Sequence, residues 1–119
     1  MHELAICQDV IAQVEQIAQQ HQAVNVARIE LQVGPLSGVE IPLLQAAFPI
    51  ACAGTVAEHA ELSIEATPIR VKCKSCHEQS LVKANNLVCR HCGDWQTQLV
   101  SGDEMILKRI EMDTEPTNV

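Results

Sequence analysis

The sequence predicts an α+β fold, two helices on a three-stranded mixed sheet, with an inserted four-cysteine domain of the zinc-ribbon kind. Three observations lead there. Apolar residues recur every three or four positions near the N-terminus, they alternate with polar ones in three later stretches, and two C-x2-C pairs stand between the second and third of those stretches. A chain of 119 residues that is 47% hydrophobic is the size of one ordinary domain and can bury a core. Phe48 and Trp95 are its only aromatics, so that core is built from Leu, Ile, Val and Ala.

From Leu4 to about Gln20 the apolar positions Leu4, Cys7, Val10, Ile11, Val14, Ile17 and Ala18 fall on one face of a helix. Glu3 in its first turn suits the positive end of the helix dipole. "VARIELQVG" alternates Ala27, Ile29, Leu31 and Val33 against Arg28, Glu30 and Gln32, a half-buried strand closed by Gly34-Pro35. "SGVEIPLLQAAFPIAC" reads as a second helix with Pro42 in its first turn, and Pro49 is expected to kink it or end it early. Gly54-Thr55 marks the turn out. "AELSIEATPIRV" alternates again, with Leu62, Ile64 and Ala66 opposite Ser63, Glu65 and Thr67, until Pro68 breaks the ladder. "EMILKRIEM" supplies a third strand that pairs with the earlier two, which makes the cysteine segment an insertion. The expected division is therefore 1–68 completed by a strand at about 104–112, an inserted domain at 69–101, and a flexible tail at 113–119.

No apolar run approaches the roughly 18 to 20 residues that span a bilayer, and the start lacks the basic and apolar regions of a signal peptide. A cytoplasmic protein with reduced cysteines is expected. The net charge of −7 argues against nucleic-acid or anionic-membrane binding by the whole chain. Charge is uneven, however: between Arg70 and Trp95 five basic residues stand against two acidic ones, a local +3 that leaves −10 for the remainder.

Cys73, Cys76, Cys89 and Cys92 form "CKSC" and "CRHC", twelve residues apart. Two such knuckles bring four soft thiolates together, the donor set of tetrahedral structural zinc. Four thiolates close the coordination shell and leave no position for water, so this zinc is a staple rather than a catalyst. A redox pair is the minority reading of two paired motifs. Gly93 after the second knuckle gives the open backbone such a turn needs, and His77 stands at the equivalent place after the first. His77 and His91 are read as exposed neighbours, and Cys7 and Cys52 as small apolar core residues.

The chain begins "MHE". The Met1 α-amine, the His2 backbone nitrogen and the His2 imidazole can close five- and six-membered chelates on one metal, with a fourth donor from the Glu3 backbone nitrogen or carboxylate. Such a planar donor set suits Ni(II) or Cu(II) and offers zinc little. The site requires that Met1 be kept, and a bulky His2 disfavours its removal. Taken alone, a terminal His-Glu pair is more often a frayed helix start than a ligand set.

"MHEL" at the start, "IELQVGPLSGVE", Gly54-Thr55, the paired C-x2-C motifs with "CG", and "SGDEMILKRIE" near the end together resemble the HypA/HybF family of hydrogenase maturation factors, which are nickel metallochaperones. The resemblance runs in register to about Glu111. It implies a nickel domain of two helices on a three-stranded sheet plus a separate zinc domain. The implied nickel ligands are Met1, His2 and Glu3, and the implied zinc ligands are Cys73, Cys76, Cys89 and Cys92. Arg90 stands where the family commonly has proline, which alters a turn without removing a ligand. The implied function is delivery of Ni(II) to the large-subunit precursor of a [NiFe]-hydrogenase, with an accessory GTPase of the HypB kind, and urease maturation proteins are further partners of some relatives.

Two other functions are weighed against this. A zinc-ribbon module binding protein or nucleic acid is suggested by the local +3, but interleaved aromatics are lacking and the remainder is acidic. A metalloenzyme finds no support: the chain has no H-E-x-x-H, no nucleophile elbow and no P-loop.

Overall fold

In the computed structural model, residues 2–114 are described; Met1 and residues 115–119 lie outside them. The chain runs α1 (His2–Gln20), β1 (Ala23–Val33), α2 (Ile41–Cys52), β2 (Glu61–Ala66), β3 (Ile69–Cys73), β4 (Gln79–Val82), β5 (Thr97–Ser101) and β6 (Met105–Thr114). Two three-stranded sheets form, one ordered β2-β1-β6 and the other β4-β3-β5. No helix among the described residues is long and apolar enough to cross a membrane.

The chain divides into two compact units. The first holds the residues up to Leu31, Glu40–Ile64 and the chain from Leu107 onward; the second holds Gln32–Val39 and Glu65–Ile106. The second unit thus takes in the turn after β1 as well as the cysteine segment.

α1 buries Cys7, Val10, Ile11, Val14 and Ala18, a stripe at three- and four-residue spacing, and α2 meets it with Leu44, Phe48 and Cys52. The Cys7 thiol donates to the Leu44 carbonyl at 3.5 Å. Burial, and then the nearby Glu3 charge, push the Cys7 thiol up, while burial followed by Cys7 pushes Cys52 up to about 11. Both therefore stay protonated and act as apolar core. α1 ends in a turn in which Gln22 takes a left-handed φ of 56°.

β1 supplies Val26, Ile29, Leu31 and Val33 to the core. The alternation expected through Ala27 slips there: Ala27 is exposed and Val26 is buried, its N–H turned to the Val56 carbonyl at 3.1 Å. The pairs Arg28–Glu61 and Gln32–Glu65 advance together along β1 and β2, as parallel strands require, with α2 in the crossover between them. Asn25–Asp113 and Gly34–Glu104 run in opposite senses, so β6 lies antiparallel to β1 and the sheet is mixed.

α2 begins at Ile41, later than the sequence suggests, with Pro42 in its first turn and Glu40 as an N-cap without a side-chain cap. Pro49 lies inside the helix, which continues to Cys52 instead of ending at the proline. One missing N–H is tolerated because Phe48 and Cys52 are buried on either side of it, and the Thr55 hydroxyl takes up the Cys52 carbonyl at 2.6 Å.

Gly34, in the second unit, is required by close approach. A Cβ there would lie 2.1 Å from the Gly102 carbonyl oxygen. The Gly34 N–H donates to Glu104 O at 2.8 Å and the Leu36 N–H to Gly102 O at 2.7 Å, so "VGPLSG" and "SGDE" pack backbone against backbone. The second sheet has β3 at its centre, antiparallel to both neighbours, with Val71 opposite Ser80 and Leu99. No strand was expected within the cysteine segment; β4 and β5 are too short to show a period.

Candidate metal centre

Each C-x2-C pair forms one turn, and the two turns are built alike. The Cys73 sulfur accepts N–H bonds from Ser75 at 3.3 Å and Cys76 at 3.4 Å; the Cys89 sulfur accepts them from His91 at 3.3 Å and Cys92 at 3.5 Å. His77 N–H closes the first turn on the Cys73 carbonyl at 3.1 Å, and Gly93 N–H closes the second on the Cys89 carbonyl at 3.0 Å. Cys73 N–H then donates to Glu78 O and Cys89 N–H to Asp94 O, both at 2.9 Å. The residue after the second cysteine of each turn takes a left-handed backbone: φ is 65° at His77 and 81° at Gly93. The equivalence read from sequence therefore extends to the dihedral angle, although His77 carries a Cβ that Gly93 lacks.

The four sulfur atoms all lie within 4.8 Å of one another. Cys73 and Cys92 are 3.5 Å apart and Cys76 and Cys89 3.6 Å, close to the roughly 3.8 Å between sulfurs that a tetrahedral ion with 2.3 Å bonds would set. Cys73 and Cys89 are buried, Cys76 is half-buried and Cys92 exposed. Among the described residues this is the group of His, Cys, Asp and Glu side chains able to hold a metal ion.

Electrostatics follow from the turns. The Cys92 amide, then that of His91, lowers the Cys89 thiol to about 6, and the Cys76 amide foremost lowers Cys73. At Cys92 the Asp94 amide pulls down, but Cys73, burial and the other cysteines outweigh it and push the thiol up to about 12. The turn amides thus favour the thiolate at Cys73 and Cys89, and burial and the crowded sulfurs oppose it at Cys76 and Cys92. Cys73, Cys76, Cys89 and Cys92 could hold a divalent cation, which would supply the charge that lets all four ionise.

Sequence reasoning missed a brace between the turns. The Ser75 hydroxyl of the first donates to the Asp94 carboxylate of the second, and Asp94 also accepts the Gln96 N–H at 3.0 Å. The Ser75 hydroxyl foremost holds the Asp94 carboxyl below its ordinary value. The signal was present in the parallel "CHE" and "CGD", which place an acidic residue at matching positions. His77 and His91 are exposed, and His91 Nε2 lies 3.3 Å from the Gln79 carbonyl rather than among the sulfurs.

The other candidate residues stand at the start of α1. His2 is the first residue of the helix and is exposed. Glu3 is buried at 9% exposure, its carboxylate accepting the Glu40 N–H at 3.4 Å, so that it ties the start of α1 to the start of α2. Met1 lies outside the described residues.

Residues 1–112 match the family described as "Hydrogenase/urease nickel incorporation, metallochaperone, hypA". The hydrogenase maturation factor HypA of Nitrosospira multiformis is 50% identical over 114 residues, covering 96% of this chain and 99% of that one. That of Aquifex aeolicus is 38% identical over 115 residues, covering 97% and 100%. The solution structure of the Ni metallochaperone HypA from Helicobacter pylori superposes with a TM-score of 0.70 at 27% identity, over 95% of this chain and 98% of that one. A second solution structure, of a HypA protein, gives a TM-score of 0.75 at 28% identity, over 97% and 98%. With two helices, a mixed sheet, a paired-knuckle module and a match across nearly its whole length, the chain belongs to the HypA family of hydrogenase/urease nickel-incorporation metallochaperones.

Proposed function

We propose that this chain carries Ni(II) at its N-terminus, through Met1, His2 and Glu3, and delivers it during maturation of [NiFe]-hydrogenase, while Cys73, Cys76, Cys89 and Cys92 hold a resident structural Zn(II). The observation that supports it best is the place of His2, exposed and first in α1. The N–H groups of His2 and Glu3 belong to the first helical turn, where no intrahelical carbonyl takes them. Both nitrogens can pass to a metal without breaking the helix. The Met1 amine and His2 imidazole add two further nitrogens, and a planar nitrogen set suits Ni(II). The Glu3 carboxylate is engaged by Glu40, which favours the Glu3 backbone nitrogen as its donor. A site held by so few contacts releases its ion readily, as a carrier requires.

The closed four-sulfur shell suits zinc as a staple, with no position for a reacting water, and the chain is a carrier rather than an enzyme. Its partners on this reading are an accessory GTPase of the HypB kind and the hydrogenase large-subunit precursor in the cytoplasm, with urease maturation proteins as a further route.

Nickel titration of the zinc-loaded chain tests this, beside His2→Ala and a variant with one glycine before Met1. The expected result is one Ni(II) bound by the native chain and none by either variant, with zinc content unchanged. Equal nickel binding by all three would sink the terminal site and leave a zinc-stabilised module that acts by contacting partners.

A further inference from the structure

The second unit carries a face that metal chemistry does not use. Along β3, Ile69, Val71 and Cys73 are buried, while Arg70 is half-buried and Lys72 exposed. Lys74, the next residue after β3 and exposed, opens the first knuckle turn, its N–H donating to Gln96 O at 2.9 Å. Arg70 and Lys72 thus stand at alternate positions on the outer face of the central strand, about 7 Å apart on an extended backbone, and Lys74 follows in the turn that begins at Cys73. None of the three has an ion-pair partner among the described residues. Of the two acidic residues between Arg70 and Trp95, Asp94 is already taken by Ser75. In the register, Leu81 lies across from Arg70, and Gln79 and Gln98 lie across from Lys72 on either side. Lys72, Cys73, Lys74, His77 and Gln98 line a hollow of about 260 Å³ at the cysteine end of this row.

We propose that this face docks an extended acidic segment of a partner polypeptide, with alternate carboxylates set against Arg70, Lys72 and Lys74 and the last of them seated in the hollow. An extended chain repeats same-side groups at the spacing of the strand beneath it, so an alternating acidic segment stays in step along the row. The Gln79 and Gln98 amides offer flanking hydrogen bonds. A nucleic acid fits less well: Trp95 is the only aromatic residue between Arg70 and Ser101, too few to stack successive bases, and the −10 on the rest of the chain repels a long polyanion. Exposed ion pairs contribute little each, so the docking is weak and salt-sensitive. It does not depend on the nickel reading.

The test uses the zinc-loaded full chain and a labelled peptide alternating glutamate and serine, followed by fluorescence anisotropy. A peptide of the same composition with its glutamates contiguous, a single-stranded oligonucleotide and vesicles containing phosphatidylserine are the competitors. Alternating peptide is expected to bind about threefold tighter than the contiguous one, and Arg70→Gln/Lys72→Gln/Lys74→Gln to lose about tenfold. Lys83→Gln/Arg90→Gln, which removes the segment's other two cations, is expected to change binding less than about twofold. Zinc content checks that each variant folds; if the triple variant loses zinc, Lys72→Gln and Lys74→Gln are measured singly, each expected to lose about threefold. The proposal fails if alternation gives no advantage, if both sets of variants lose binding equally, or if oligonucleotide or vesicles compete as well as the peptide.

Discussion

The four-cysteine cluster and the nickel site proposed at the start of α1 would gather donor atoms by opposite means. The cluster is assembled by long-range structure: two turns, amide bonds to sulfur, a Ser75–Asp94 brace, and β3 leading into the first cysteine. The proposed nickel site would use three consecutive residues at the helix start, where first-turn N–H groups have no intrahelical acceptor. A resident ion can be made part of the folding energy. An ion that must leave is better placed where no tertiary contact depends on it.

The largest expected effect breaks the cluster. Cys89→Ser, or chelation, should abolish metal content and melt the β4-β3-β5 sheet, since structural zinc in small modules supplies about 10–16 kcal/mol of apparent binding energy. Helical circular dichroism from α1 and α2 should persist, because their core of Val14, Leu44 and Phe48 belongs to the other unit. Loss of both signals together would show that the units fold as one and undo the contrast.

The converse variant is Leu44→Ala. Leu44 is 0% exposed at the α1–α2 contact, and truncation at such a site costs about 2–5 kcal/mol. Thermal unfolding monitored by helical signal should fall in midpoint while zinc remains bound at the original stoichiometry.

Within the cluster, the knuckles differ at one atom. Gly93→Ala places a Cβ at a φ of 81° and should cost about 1–2 kcal/mol, whereas His77→Gly relieves the same conformation at 65° and should stabilise by up to about 1 kcal/mol. Guanidinium titrations of the zinc-loaded variants check both signs. Zinc loss in His77→Gly would give the imidazole a ligand role that the structure does not.

Long periods and strong motifs were legible in the sequence. The α1 stripe, the β1 alternation from Ile29 to Val33 and the four-cysteine set reappear in three dimensions, since each is a local pattern repeated often enough to stand out. β2, by contrast, forms without the expected alternation: Leu62, Ser63 and Ile64 are all half-buried and Ala66 is exposed. What escaped is short or non-local. β4 has four residues and β5 five, and their pairing with β3 is stabilised by a cluster that sequence shows only as spacing. Pro49 does not end α2 early as it could have, because a proline's cost to a helix is local while the burial of Phe48 and Cys52 that offsets it is tertiary. The Glu3–Glu40 and Ser75–Asp94 bonds join residues 37 and 19 apart; nothing in sequence announces the first, and the matching acidic positions of "CHE" and "CGD" only hint at the second.

The smallest expected effect concerns acid. Glu104 accepts the Gly102 N–H at 2.8 Å and the Thr67 hydroxyl at 3.2 Å, and its own amide, then that of Gly102, holds its carboxyl below the ordinary 4.5. Because the folded value is the lower one, the unfolded chain takes the proton first as pH falls. The stabilising contribution is complete above about 4.5 and disappears as pH drops through the folded value. Glu104→Gln should therefore be less stable than the native chain at neutral pH, with a deficit that shrinks on acidification. Thiolate protonation weakens zinc binding over the same range, so the informative quantity is the difference between the two proteins, in which the metal's own pH dependence cancels. A deficit constant from neutral to acid would assign Glu104 to the close packing around Gly34 and Gly102 rather than to its charge.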